Sequence, residues 1–399
     1  MRLLEGTRVL SLEQYIAGPY CTSLLADAGA EVIKVEQPGV GDPRRHYEPR
    51  TSDHEPDINA GYVPYNRGKK SIELDVRSPD GLAAFEELLG TADILVCNLR
   101  PNFLQSAGLD PVRLRNRYPR LIVCEITGFG ATPGPQREWP AFDSVIQASA
   151  GLSGLLGDDP NGAPLLAPMS TMDMLAGLYA GLGILMALQG RERSGEGVHV
   201  DTSMHDVGAA FLMRPLTLFE FTGVAPTRGS DAHSPVGAFL AGDGRWVSIV
   251  IPTQQMWERT CTVIGRDDLL SDPELVTNEA RASAMRTRII PALEEWAESM
   301  DADAAARALR EAGQPAGVVS TIEQVRHDPR LASRGLFVDV GEGKDEIRVP
   351  RLPILFDGQG ADVVSIAGLG QHTEEILQGS IRPWIVLNEI SDPQDIPIE

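Results

Sequence analysis

At 399 residues the chain is too long for one ordinary hydrophobic core, and two domains are the expectation. Its 42% hydrophobic and 23% charged residues are the proportions of a soluble globular protein. A formal net charge of −21 argues against nucleic acid and against a membrane surface as partners. The four cysteines (Cys21, Cys97, Cys124, Cys261) are scattered through apolar surroundings without metal-ligand spacing, so reduced core thiols in a cytoplasmic protein are expected rather than disulfides or a metal site. The start, Met-Arg-Leu-Leu-Glu-Gly-Thr-Arg, carries no apolar signal core and runs directly into a strand.

Residues 7–12 alternate like a short strand, and 15–20 form a turn-rich connection with Gly18 and Pro19. A helix to Ala28 follows, closed by Gly29 where a left-handed residue is expected, and 31–36 is a second strand. This βαβ unit predicts an α/β fold with a parallel sheet. Glu36 ends its strand where an acid can hold a ribose hydroxyl, but the first turn has only Gly18 and no G-x-G-x-x-G. A nicotinamide enzyme is therefore a distant alternative. Strands are predicted at 71–76, 93–97 and 121–126, with a helix over 79–89 that has Pro at its first turn. The basic stretch from Pro64 to Ser71, the turn from Asn98 to Phe103 and Thr127-Gly128-Phe129-Gly130 are all placed at carboxyl ends of strands, where open α/β sheets bind ligands. Against the acidic background Arg44, Arg45, Arg67, Lys69, Lys70 and Arg100 are either solvated surface charge or the footing for a phosphate-rich small ligand.

A helix over 143–151 precedes the most apolar stretch of the chain, 170–188, which reads as a helix buried on every side and too short to span a bilayer. At its start Asp173 shares a helical face with Ala176, Gly177 and Ala180, whose small side chains let another group lie close against the carboxylate. Ser, Thr and Asp before an apolar run also serve as helix caps, so Asp173 is either a cap or a reachable carboxylate. A polar turn at 191–197, a strand at 198–201 and a helix at 204–213 follow, and 219–234 has no clear period. From Val236 a hairpin around Gly242-Asp243-Gly244 and helices over 254–264, 279–300 and 302–311 read as a smaller α+β domain. The predicted organisation is 1–190 as the first part of a large domain, 191–233 as a linker, 234–320 as the small domain and 321–399 as a return segment completing the large one.

A series of motifs in order covers essentially the whole length. It runs through Ala17-Gly18-Pro19, the segment from Gly29 to Glu36, Gly41-Asp42-Pro43, Asn66-Arg67-Gly68-Lys69-Lys70-Ser71-Ile72, Pro119-Arg120-Leu121-Ile122, Gly128-Phe129-Gly130 and Asp143 to Gln147. Asp173 with Gly183-Ile184-Leu185, Gly195-Glu196-Gly197, Asp243-Gly244, Ala312-Gly313-Gln314-Pro315 and Leu369-Gly370-Gln371-His372-Thr373 complete it. With these motifs the chain resembles the class III CoA-transferases, a family that also includes α-methylacyl-CoA racemases.

The resemblance implies a Rossmann-like large domain built from both chain ends, a small domain between them and an interlocked homodimer. It implies transfer of CoA from an acyl-CoA donor to a small carboxylic acid, with Asp173 as nucleophile and neither a metal nor a tightly bound cofactor. CoA contacts carry over to the backbone of Ile16 and Ala17 and to Asn66, Lys69, Asn98 and Leu99; Arg67 and Arg100 join them on grounds of charge. Where relatives often carry an Arg for the nucleotide phosphate this chain has Gln37-Pro38, which passes that contact to Arg44 or Arg45. Asp143 is an auxiliary acid or a helix cap. Racemase relatives place a proton-carrying His just before it, and here that residue is Phe142, which opposes the alternative of an acyl-CoA racemase or epimerase. A non-catalytic CoA-binding protein is the other alternative. The Gly-rich lid of some transferases is reduced to a single Gly in Ser234-Pro235-Val236-Gly237-Ala238, and the acid pocket is expected from 129–142 and 219–239.

Overall fold

In a computed structural model the described residues are 2–49, 59–157, 159, 161–228, 235–341, 346–361 and 365–379. They fall into two units: those within 1–150, 168–211 and 333–379 make one, and those within 151–167 and 212–332 make the other.

The first unit is built on a six-stranded sheet of β1 (Arg8–Leu12), β2 (Glu31–Glu36), β3 (Lys69–Glu73), β4 (Ile94–Cys97), β5 (Ile122–Thr127) and β6 (His199–Ser203). Every pairing is parallel and the order is β3-β2-β1-β4-β5-β6, the doubly wound order whose direction reverses at β1 and β4. Alternate residues point to opposite faces. Leu10, Leu12, Ile33, Val35, Leu95, Cys97 and Val123 pack with Phe85, Leu88 and Leu89 of the helix Pro79–Leu89 and with Leu114 of the helix Pro111–Arg117. The residues of opposite parity face helix α1 (Ala17–Asp27) and the central helix Thr171–Ser194, which pack on each other. Local chemistry sets the ends. Ser78 and Asp110 accept amides from the first turns of Pro79–Leu89 and Pro111–Arg117 at 3.0 Å each, and Gly29 at φ +102 turns the chain out of α1.

The C-terminal part of this unit holds the hairpin β10 (Phe337–Val340) and β11 (Ile347–Pro350) and then crosses the edge of the sheet at β3. There the His372 amide donates to Ser71 O, the Thr373 hydroxyl accepts from Glu73 N, and Ile376 enters the core. The second unit has a three-stranded antiparallel sheet of β7 (Val236–Leu240), β8 (Trp246–Val250) and β9 (Ala316–Val318) around Phe239, Val247, Ile249, Trp257 and Leu309.

The structure departs from the sequence reading at four places. The stretch 191–233 is not a linker: within it lie the end of the central helix, β6 and the helix Met204–Phe211 of the first unit, and the helix Met213–Thr222 of the second. The helix over 279–300 is interrupted, because a wide turn at Met285–Ile289 separates Asn278–Ala284 from Ile290–Ala297, which has Pro in its first turn. The central helix is longer than its apolar run, since Arg191 continues it and is buried against Asp93 at 3.0 Å; its 24 residues are long and apolar enough to cross a membrane. Nor is it buried on every side. Ala176, Gly177, Ala180 and Ile184 are buried, whereas Leu178, Tyr179, Leu182, Leu185 and Met186 are exposed on this chain. Ser234 and residues 380–399 lie outside the described residues.

Candidate active site

The central helix begins with Met169 and Ser170 in left-handed backbone, at φ 64 and 52. Ser170 makes no capping hydrogen bond, and the Thr171 hydroxyl donates to Pro168 O at 2.9 Å. The open amides of the first turn are met from a distant segment: Asp143 Oδ1 accepts from Met172 N at 2.6 Å and from Asp173 N at 3.2 Å. Gln147, one turn further along Asp143's own helix, donates to Oδ2 at 2.6 Å. Asp143 is therefore the cap, and Asp173 is not. Among the described residues no donor reaches either carboxylate oxygen of Asp173, and the side chain keeps partial exposure. Burial pushes its carboxyl up, the neighbouring Asp143 charge pushes it further, and the Arg44 guanidinium draws it back, leaving it at about 7 against an ordinary 3.8.

Arg44 sits in the short turn Pro43–His46, whose cap Asp42 accepts from Arg44 N at 2.9 Å. Its Nε donates to Gly61 O at 2.6 Å, and its cation lies 5.1 Å from the Tyr47 ring and 5.4 Å from the Tyr65 ring. Two paths join this turn to Asp173. Tyr65 meets Tyr20 edge-on at 6.4 Å, and Tyr20 lies against Gly177 on the Asp173 face. Tyr15, at φ 65, donates its amide to Asp42 Oδ1 at 3.3 Å and stands edge-on to Phe142 at 5.6 Å, beside the capping Asp143. Gly177 is required here, since a Cβ would lie 2.6 Å from Ala17 O and hold the central helix off α1.

Behind the site lies a buried lattice of paired charges. Lys34 Nζ donates to Asp42 at 2.6 Å and to Asn66 Oδ1 at 2.7 Å; Lys69 Nζ donates to Glu13 at 2.7 Å and to Pro19 O at 2.9 Å. Arg67 pairs with Asp27 at 2.5 Å, and Arg45 holds Glu36 at 2.6 and 2.8 Å. Burial would raise the Glu36 carboxyl, but the Arg45 hydrogen bonds and the Lys34 charge outweigh it and hold it at about 2. Burial depresses Lys69 to about 8.

A model of CoA-transferase family III matches residues 4–373. The chain belongs to that family. A succinate–glutarate CoA-transferase of Agrobacterium fabrum is 35% identical to it over 88% of this chain and 89% of its own length. An acetyl-CoA:oxalate CoA-transferase of Acetobacter aceti is 33% identical over 89% of each. Among solved structures, a CaiB/BaiF family protein from Brucella suis superposes with a TM-score of 0.82 at 31% identity, covering 94% of this chain and 99% of that one. Rv3272 from Mycobacterium tuberculosis gives 0.80 at 32% identity, over 93% and 98%. This chain is accordingly a class III CoA-transferase.

Within the transferase, Asp173, Asp143 and Arg44 come together, and Ile16, Ala17, Asn98, Leu99 and Arg100 gather at the carboxyl ends of β1 and β4. Asn98 clips the loop after β1 by a reciprocal pair, Gln14 N to Oδ1 at 2.8 Å and Nδ2 to Gln14 O at 2.9 Å. A Cβ on Gly18 would fall 2.7 Å from this Asn98 side chain. Arg100 is exposed and, among the described residues, its guanidinium has no partner.

Asn66, Arg67 and Lys69 do not form a phosphate-facing loop. The basic stretch leads into the amino end of β3, and Lys69, opposite Val32, takes the buried parity of that strand. All three side chains are buried and engaged inside the protein. Arg45 and Glu36 are likewise committed to each other, which removes Glu36 as a ribose ligand. Sequence reasoning gave no role to Asp42, Tyr15, Tyr65 or Gln147, although each lies in a stretch it had singled out: Gly41-Asp42-Pro43, the connection 15–20, the basic stretch from Pro64 to Ser71, and Asp143 to Gln147.

Proposed function

We propose that this transferase moves CoA between carboxylic acids through covalent intermediates on Asp173. The Asp173 carboxylate attacks the donor thioester carbonyl, giving a mixed anhydride and the CoA thiolate. The thiolate then attacks the aspartyl carbonyl, releasing the donor acid and leaving an aspartyl-CoA thioester. The acceptor carboxylate opens that thioester to a second anhydride, and the returning thiolate forms the new acyl-CoA and frees Asp173. Each step exchanges one acyl bond for another, so the thioester energy is retained. The reading is carried by one observation: Asp173 is a carboxylate that no donor among the described residues reaches, near neutral pKa, at a helix start whose amides another acid has already satisfied. Structural carboxylates are paired; a nucleophile must be reachable and only lightly solvated.

CoA contacts are proposed at the backbone of Ile16 and Ala17 opening α1, at Asn98 and Leu99, and at Arg100 for a phosphate. Dicarboxylic substrates are favoured by the relatives, which are named for succinate, glutarate, malate and oxalate. A homodimer is proposed from the exposed apolar face Leu178, Tyr179, Leu182, Leu185 and Met186, to be measured by sedimentation. A cytoplasmic site of action is supported by four buried, unpaired cysteines.

The test is trapping. Protein turning over acyl-CoA in hydroxylamine is expected to carry a hydroxamate at Asp173 by mass spectrometry, and Asp173→Ala to bind CoA but not exchange it. Full exchange by Asp173→Ala refutes the mechanism.

A further inference from the structure

Arg44 is held in place without being neutralised. Its amide is fixed by Asp42, its Nε by Gly61 O, and its plane is set by Tyr47 and Tyr65. Among the described residues its two terminal nitrogens have no hydrogen-bond or ion-pair partner. That is unusual in a chain with 56 acidic and 35 basic residues, whose inward cations Lys34, Arg45, Arg67 and Lys69 all find carboxylates. A planar fork with both arms open is suited to one bidentate carboxylate.

Position decides which carboxylate. The Tyr65–Tyr20–Gly177 and Asp42–Tyr15–Phe142 contacts bring the Arg44 turn to the Asp173 end of the central helix from two sides. Arg44 nonetheless makes no ion pair with Asp173. A carboxylate bound by the guanidinium is tied up and poorly nucleophilic, so it is not the group that attacks at Asp173.

We propose that Arg44, framed by Tyr47 and Tyr65, is the specificity residue that holds the distal carboxylate of a dicarboxylic acid while the near one reacts at Asp173. This moves Arg44 from the nucleotide phosphate to the acid end of the site, since the pantetheine arm separates that phosphate from the thioester. The inference rests on Asp173 as nucleophile.

The experiment compares kcat/KM for two acceptors of equal chain length, glutarate and valerate, with succinyl-CoA as donor, in wild type, Arg44→Gln and Arg44→Lys. Because both acceptors react with the same enzyme-bound CoA, their ratio isolates acceptor recognition. Arg44→Gln is expected to lower the glutarate-to-valerate ratio on the order of 10- to 100-fold, the effect of losing a charged hydrogen-bond pair. Arg44→Lys should restore part of it, and it carries the test if Arg44→Gln does not fold. An unchanged ratio overturns the proposal, as does a tenfold loss of CoA affinity by calorimetry with the ratio intact, which would mark a phosphate ligand. Failure to trap an aspartyl adduct in the wild type overturns the nucleophile reading and this one with it; an adduct with an unchanged ratio overturns this one alone.

Discussion

Replacing Asp173 by Asn should abolish exchange and make the protein more stable at neutral pH. The Asp173 carboxyl is raised from 3.8 to about 7 by burial and by Asp143. Three decades of proton affinity at about 1.4 kcal/mol each set a ceiling of about 4 kcal/mol for the penalty of ionising it in the folded state. The side chain retains partial exposure, so solvent screening cuts this, and about 2 kcal/mol is the working figure. The sign follows from proton uptake. Between the two pKa values the folded protein holds a proton that the unfolded chain releases, so wild-type stability falls as pH rises from about 4 to about 7. Asn mimics the protonated form and escapes that fall. Its gain is therefore full above pH 7, shrinks with acidification and vanishes near pH 4. Thermal unfolding followed by circular dichroism at pH 8, 6.5 and 5 should show Asp173→Asn melting a few degrees above wild type at pH 8, with the gap closing steadily. Equal melting at pH 8, or a gap that does not depend on pH, would refute the claim that this carboxylate is held under electrostatic strain.

Other perturbations probe its surroundings. Asp143→Asn keeps an oxygen for the amides of Met172 and Asp173 but removes the like charge, so the acid limb of the kcat/KM–pH profile, expected near 7 in wild type, should move downward. Asp143→Ala should lose the cap as well and cost about 1 kcal/mol in a denaturant titration. Gly177→Ala puts a methyl group 2.6 Å from Ala17 O, and the resulting shift of two packed helices should destabilise by roughly 1–3 kcal/mol and lower kcat more than it weakens CoA binding. Glu36→Gln removes the carboxylate charge that faces buried Arg45, which keeps its bond to Ala367 O, and should cost about 3–5 kcal/mol. Because Glu36 is held at about 2, its contribution is present above pH 4.5 and is lost as pH falls toward 2, so the wild-type and mutant melting curves should converge in acid.

Much of this was legible in the residues. The alternation at 7–12 and 31–36 around a helix closed by Gly29 leads directly to β1, α1 and β2, because period and cap chemistry are local properties. Asp173 stood out for a similar reason: its helical neighbours are small. What could not be read is which acid caps that helix. Asp143 is 30 residues from Asp173 in the chain and reaches its amide only after β5 and the helix Asp143–Ser149 have been placed. An apolar stretch does not reveal what covers it, which is why the central helix differs from the all-round burial its sequence predicts. Its exposed Leu178, Leu182 and Met186 are as apolar as its buried Ile184.

Basic residues were the hardest to read, and sorting them constrains the ligand. Charge alone grouped Arg44, Arg45, Arg67, Lys69, Lys70 and Arg100, but strand parity and burial divide them. Lys69 lies on the inward face of β3, and Arg45 and Arg67 are closed against Glu36 and Asp27. Lys70, on the opposite face from Lys69, pairs with Glu31 and Glu375. Four of the six cations are thus matched by carboxylates of the protein itself. Arg100, beyond the end of β4, and Arg44, beside the Asp173 helix, remain. With Arg100 taking a phosphate and Arg44 a free carboxylate, as proposed above, the substrate carries an anion at each end of an uncharged arm. An acyl-CoA of a dicarboxylic acid has that distribution of charge, and an acyl-CoA of a monocarboxylic acid lacks the second half of it.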